Sequence, residues 1–71
     1  IATPEQVEEM HGFIRGKLGS IGAEIRILYG GSVKPDNAAQ TFALDDVDGA
    51  LVGGAALQAN AFYSICQAAQ L

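Results

Sequence analysis

Ile25-Arg26-Ile27-Leu28-Tyr29-Gly30-Gly31-Ser32 and, further on, Ala50-Leu51-Val52-Gly53-Gly54 decide how this chain of 71 residues is built. Each begins as a short β-branched, apolar or aromatic run and stops at a glycine pair, the pattern of a strand that ends abruptly in a turn. Between them, Lys34-Pro35-Asp36-Asn37 opens a helix running to about Ala43, with Ala38, Ala39, Phe42 and Ala43 as its apolar side. Two strands separated by a helix form a βαβ unit, which implies parallel pairing. Leu51 beside Val52 suits a strand buried on both faces.

Working outward, Thr3-Pro4-Glu5-Gln6 starts a helix. Thr3 and Gln6 form a capping box, and Pro4 occupies the first helical position, where its missing N–H costs nothing. Glu5, Glu8 and Glu9 favour the positive end of the helix dipole. Val7, Met10, Ile14 and Leu18 recur at helical spacing beside Phe13. Arg15 and Lys17 fall in the last turn, and Gly19 is the stop, so a helix is predicted from about 4 to 18. After Gly54, Ala55-Ala56-Leu57 reads as a small turn or short helix. A last helix, about 59 to 69, carries Phe62, Ile65, Cys66 and Ala69 on one face. The order is α-β-α-β-α, with no second domain and no linker.

Composition narrows the class. With 49% hydrophobic and 17% charged residues, the chain is too apolar for a disordered tail. No apolar run approaches the ~20 residues of a membrane span, so no membrane role is expected. Eight acids face four bases, and nothing after Lys34 is basic. A nucleic-acid binder needs a basic stripe, and this chain has none. Cys66, the single cysteine, makes no internal disulfide and leaves no zinc set.

Size matters most. A chain this short buries only roughly 60% of its unfolded surface. Two parallel strands also leave an open edge on each side. Pattern and size together predict a slice of a larger α/β structure, a view to which the initial Ile1 adds. Should the 71 residues stand alone, self-association is expected: four copies would supply eight strands, and rearrangement into a helical bundle is an alternative.

The chemistry concentrates at the glycine pairs. Ligands of α/β folds gather at the C-terminal ends of parallel strands. Glycine lets the backbone approach a ligand closely, and bare N–H groups at a strand-to-helix turn make an anion site. Gly30-Gly31-Ser32 and Gly53-Gly54 together suit one phosphate; alternatively the glycines only make tight turns. His11 lacks a second ligand or a nucleophile partner and reads as structural or exposed. Cys66 reads as a small buried hydrophobe. Asp45, Asp46 and Asp48 fail the spacing of a calcium loop and read as a solvated turn. Gly12 and Gly16 form a GxxxG, but Arg15 and Lys17 exclude a membrane face.

Three strings carry the reading further: Ala-Thr-Pro-Glu-Gln at 2–6, Ile-Arg-Ile-Leu-Tyr-Gly-Gly-Ser-Val-Lys-Pro-Asp-Asn-Ala at 25–38, and Asp-Gly-Ala-Leu-Val-Gly-Gly-Ala at 48–55. Together they resemble the C-terminal portion of the triosephosphate isomerase family. The resemblance covers the whole chain, and its long second string sets aside other phosphate-binding barrels. It implies that residues 1–71 are the last quarter of a (β/α)8 barrel, an incomplete barrel within this chain. It implies that the backbone amides of Ser32, Gly53 and Gly54 hold the substrate phosphate. Tyr29 and Ser32 match residues that bond a closing lid, Ile1-Ala2 match its C-terminal hinge, and Leu51 matches an apolar residue near the catalytic base.

The family interconverts dihydroxyacetone phosphate and glyceraldehyde 3-phosphate through an enediol(ate), without metal or organic cofactor. It serves glycolysis and gluconeogenesis in the cytoplasm and is usually dimeric. Its catalytic lysine, histidine and glutamate belong to earlier segments. Lys17, Lys34, His11 and Glu5 match none of those motifs, so the resemblance implies no catalytic residue in this chain and an inactive isolated fragment.

Overall fold

The computed structural model describes residues 2–69. Helix α1 (Pro4–Leu18) begins as the sequence predicts: the Gln6 amide donates to Thr3 Oγ1 at 3.1 Å and the Thr3 amide to Gln6 Oε1 at 2.9 Å. It ends at Gly19, whose φ of 65° lies in the left-handed region that glycine enters without a Cβ clash. A 3-10 turn (Gly19–Ile21) leads to strand β1 (Leu28–Tyr29), then helix α2 (Ala38–Phe42) and strand β2 (Gly49–Ala50). A second 3-10 turn (Gly54–Leu57) precedes helix α3 (Ala59–Ala68). The α-β-α-β-α order and the parallel pairing both hold, with Leu28 opposite Gly49 and Tyr29 opposite Ala50.

The strands are shorter than the apolar runs suggest, although the ladder outlasts them. The Asp48 amide donates to the Ile27 carbonyl at 3.0 Å, and the Leu51 amide to the Tyr29 carbonyl at 2.9 Å. Helix α2 starts later than expected, because residues 34–37 form a turn closed by the Ala38 amide on the Lys34 carbonyl at 2.9 Å.

A small core joins Val33, Ala38 and Ile65, with Tyr29, Phe42, Ala50, Val52, Ala55 and Ala68 packed around it. Much apolar surface stays open. Leu51 is 63% exposed rather than buried on both faces, because no third strand or further helix among the described residues covers it. Helix α1 turns Val7 and His11 inward, while Met10, Phe13 and Ile14 are bare. Helix α3 buries Ile65, with Phe62, Cys66 and Ala69 exposed, so its inward face is rotated from the expected one. Cys66 is therefore a surface thiol and not a core residue.

The accessible surface is 5061 Å², against about 4200 Å² for a compact monomer of this mass. The radius of gyration is 12.5 Å, where a compact domain of this length has about 11 Å. Both excesses are those of a slab bare on several faces. None of the described helices is long and apolar enough to cross a membrane.

Candidate phosphate site at the strand ends

Parallel pairing brings the two glycine pairs to the same end of the sheet. The register pairs Tyr29 with Ala50, and the last ladder bond runs from the Leu51 amide to the Tyr29 carbonyl, so Ser32 and Gly53 both follow the C-terminal ends of neighbouring strands. The amides of Ser32, Gly53 and Gly54 donate no hydrogen bond among the described residues. Three free N–H donors at the C-terminal ends of neighbouring parallel strands can take an anion.

The glycines serve different purposes. At Gly31 a Cβ would collide with the Tyr29 hydroxyl and ring, so the tyrosine can lie over the loop only because residue 31 has no side chain. At Gly30 a Cβ would touch Leu51 Cδ1 at 3.8 Å, an ordinary contact. At Gly53 and Gly54 it would meet nothing within 4 Å. Nothing in the packing of this chain requires glycine at those two positions; their bare backbones leave open space. Left-handed geometry is not the reason, since Gly19 is the one positive-φ glycine among the described residues.

The loop after β1 is held from behind. Asn37 Nδ2 donates to the Ser32 carbonyl at 3.0 Å, and the Lys34 amide donates to Asn37 Oδ1 at 2.8 Å. Val33 is buried directly after Ser32. A cavity of about 120 Å³ lies beneath the loop, lined in part by Ala2, Tyr29, Ser32 and Asn37. A larger apolar one of about 300 Å³ lies along α1 beside Met10, His11 and Tyr29. Gly53 and Gly54 line neither of these two. Ala2 reaches the smaller cavity, whereas Ile1, the other expected hinge residue, is outside the described residues.

The opposite end of the sheet is held by charge. Arg15 Nε donates to Asp46 Oδ1 at 2.7 Å and its Nη2 to Asp48 Oδ2 at 2.5 Å. Arg15 also bonds the Gly22 and Ile25 carbonyls. The Ile27 amide and then the Arg15 guanidinium hold the Asp48 carboxyl below its ordinary range. Asp48, foremost, raises Arg15 in turn. His11 is buried, with Nδ1 3.1 Å from the Asp46 carbonyl oxygen, which fits the structural role expected of it. Glu8 accepts from the Asp45 amide at 2.9 Å. The Asp45–Asp48 stretch is a turn with Asp45 and Asp48 exposed, as spacing suggested, but it is also tied to α1 through Arg15 and Glu8. These partners lie 31 to 37 residues away in sequence, beyond the reach of a local pattern.

A family model described as triosephosphate isomerase matches residues 1–69. The chain belongs to the triosephosphate isomerase family. It is 58% identical over 69 residues to the triosephosphate isomerase of Shewanella frigidimarina (strain NCIMB 400), covering 92% of this chain and 26% of that protein. It is 57% identical over 72 residues to that of Shewanella loihica (strain ATCC BAA-1088 / PV-4), covering 96% and 28%. The crystal structure of triosephosphate isomerase from Bartonella henselae superposes with a TM-score of 0.90 at 49% identity, over 96% of this chain and 30% of that one. The two strands and three helices are therefore part of a TIM barrel, and the chain spans about a quarter of the length of its curated relatives.

Proposed function

We propose that this chain supplies the phosphate-gripping part of a triosephosphate isomerase, as the C-terminal portion, residues 1–71, of a single (β/α)8 barrel domain. The observation that carries the reading is the set of free amides on Ser32, Gly53 and Gly54 at adjoining strand ends. Their ligand is the phosphate of a small phosphorylated triose, dihydroxyacetone phosphate or glyceraldehyde 3-phosphate. Gly30, Gly31, Tyr29 and Leu51 shape the surrounding loop. Binding energy drawn from the unreactive phosphate positions the carbons that exchange a proton.

Abstracting a proton next to a carbonyl also takes a placed base and an electrophile. In this reading both come from other parts of the barrel, and no residue of this chain is catalytic. The complete protein is a cytoplasmic glycolytic isomerase, dimeric as is usual in the family. Isomerase activity tests the proposal. The 71-residue chain alone is expected to read background. Joined to the remainder of the Shewanella loihica barrel, it is expected to restore turnover. A grafted barrel that folds but does not isomerise would contradict the reading.

The bare apolar side chains Met10, Phe13, Leu51 and Leu57 favour a second reading for the isolated chain. Here it is a non-catalytic fragment that self-associates and at most binds phosphate. Sedimentation showing a cooperatively folded monomer would remove that reading.

A further inference from the structure

The side chain of Asn37 does not cap the helix it precedes: α2 has Asn37 at its N-cap position and no side-chain capping bond. It turns back on the loop instead. Its Nδ2 holds the Ser32 carbonyl at 3.0 Å, and its Oδ1 accepts the Lys34 amide at 2.8 Å. The Asn37 amide in turn donates to the Lys34 carbonyl at 3.1 Å. One half-buried amide side chain therefore closes the turn and pins the residue upstream of it. Asn37 gives up a favourable N-cap bond to do so.

We infer that Asn37 is a positioning residue for substrate phosphate, acting through Ser32. This rests on the reading of Ser32, Gly53 and Gly54 as the phosphate donors. Ser32 lies between two unlike neighbours. On its upstream side Gly30-Gly31 leave the backbone free to rotate. On its downstream side the carbonyl is held by Asn37 and the next residue, Val33, is buried. Fixing the downstream peptide plane leaves the Ser32 N–H to swing only about the glycine side. The donor is then presented from a fixed base at the end of β1, beside the strand end that carries Gly53. Without Asn37 both sides of Ser32 are loose, and ordering them is charged against phosphate binding.

The test uses the complete barrel that carries this chain as its last part. Asn37→Ala removes both side-chain bonds. Asn37→Ser keeps the backbone bonds from residues 37 and 38 to the Lys34 carbonyl, so the turn still closes, but its side chain is too short to reach the Ser32 carbonyl. KM and kcat are measured for glyceraldehyde 3-phosphate and for unphosphorylated glyceraldehyde, together with competitive inhibition by inorganic phosphate and thermal unfolding. Both variants are expected to raise KM for the phosphorylated triose and Ki for phosphate about tenfold, the scale of one or two lost hydrogen bonds. The loss on glyceraldehyde should be smaller by about the same factor, and Asn37→Ser should unfold near the parent temperature. Equal losses on both substrates, or an unchanged Ki in Asn37→Ser, would overturn the inference. If inorganic phosphate does not compete even in the parent, the phosphate reading itself falls, and this inference with it.

Discussion

Arg15 and Asp48, 33 residues apart in sequence, meet at 2.5 Å and tie the last turn of α1 to the residue that leads into β2. Asp48 Oδ2 also accepts the Ile27 amide at 2.9 Å, so one carboxylate joins a helix to both strands of the sheet. With its carboxyl held below the ordinary 3.8, Asp48 stabilises the fold above that value, and the contribution disappears as pH falls through the lowered folded-state value. Replacing it with Asn removes this acid-sensitive part. The expected result is a lower unfolding temperature at pH 7 and a smaller gap from the parent below pH 4, read from thermal unfolding across pH.

Asp46 holds a left-handed φ of 69°, which aspartate tolerates better than most residues. Its carboxylate meets Arg15 and its carbonyl meets His11. Asp46→Asn keeps the tolerance and loses the charge; Asp46→Ala loses both. Alanine adds about 1–2 kcal/mol for the left-handed backbone alone. Urea unfolding of the complete barrel should therefore rank Asp46→Ala below Asp46→Asn.

Ile65 is 2% exposed and touches the core formed with Val33 and Ala38. Truncation to Ala leaves a cavity that the small neighbour Ala38 cannot fill, so Ile65→Ala should destabilise by about 2–4 kcal/mol. Phe62→Ala, three positions earlier on the open side of α3, should have a smaller effect in the isolated chain. Comparing the two by denaturant midpoint checks the observed rotation of the helix.

Gly31 and Tyr29 are coupled through space that a methyl group would occupy. Gly31→Ala must push the ring away, raising KM for the phosphorylated triose several-fold in the complete barrel. In the double variant with Tyr29→Ala the clash no longer exists. The second substitution should therefore add little to the loss caused by Tyr29→Ala, and the cycle should be strongly non-additive.

Much of the architecture was legible because its causes are local. Thr3 and Gln6 bond across one helical turn, Gly19 ends the helix through its own backbone freedom, and each apolar run stops at a glycine pair. The parallel βαβ pairing follows from their order. What could not be read depends on distant partners. Spacing alone reads Asp46 and Asp48 as turn residues and misses their ion-pair partner, because Arg15 is 31 and 33 residues away. Apolar character alone buries Leu51 and Cys66, yet no element among the described residues covers them. Asn37 reads as part of a helix start, and only the folded loop places its side chain on Ser32.

Amide chemical shifts test the central claim most directly. In a ¹⁵N-labelled complete barrel titrated with inorganic phosphate, the Ser32, Gly53 and Gly54 amide protons should move downfield together along one saturating curve. Resonances of those three that stay in place while others shift would mean that the phosphate is held somewhere else.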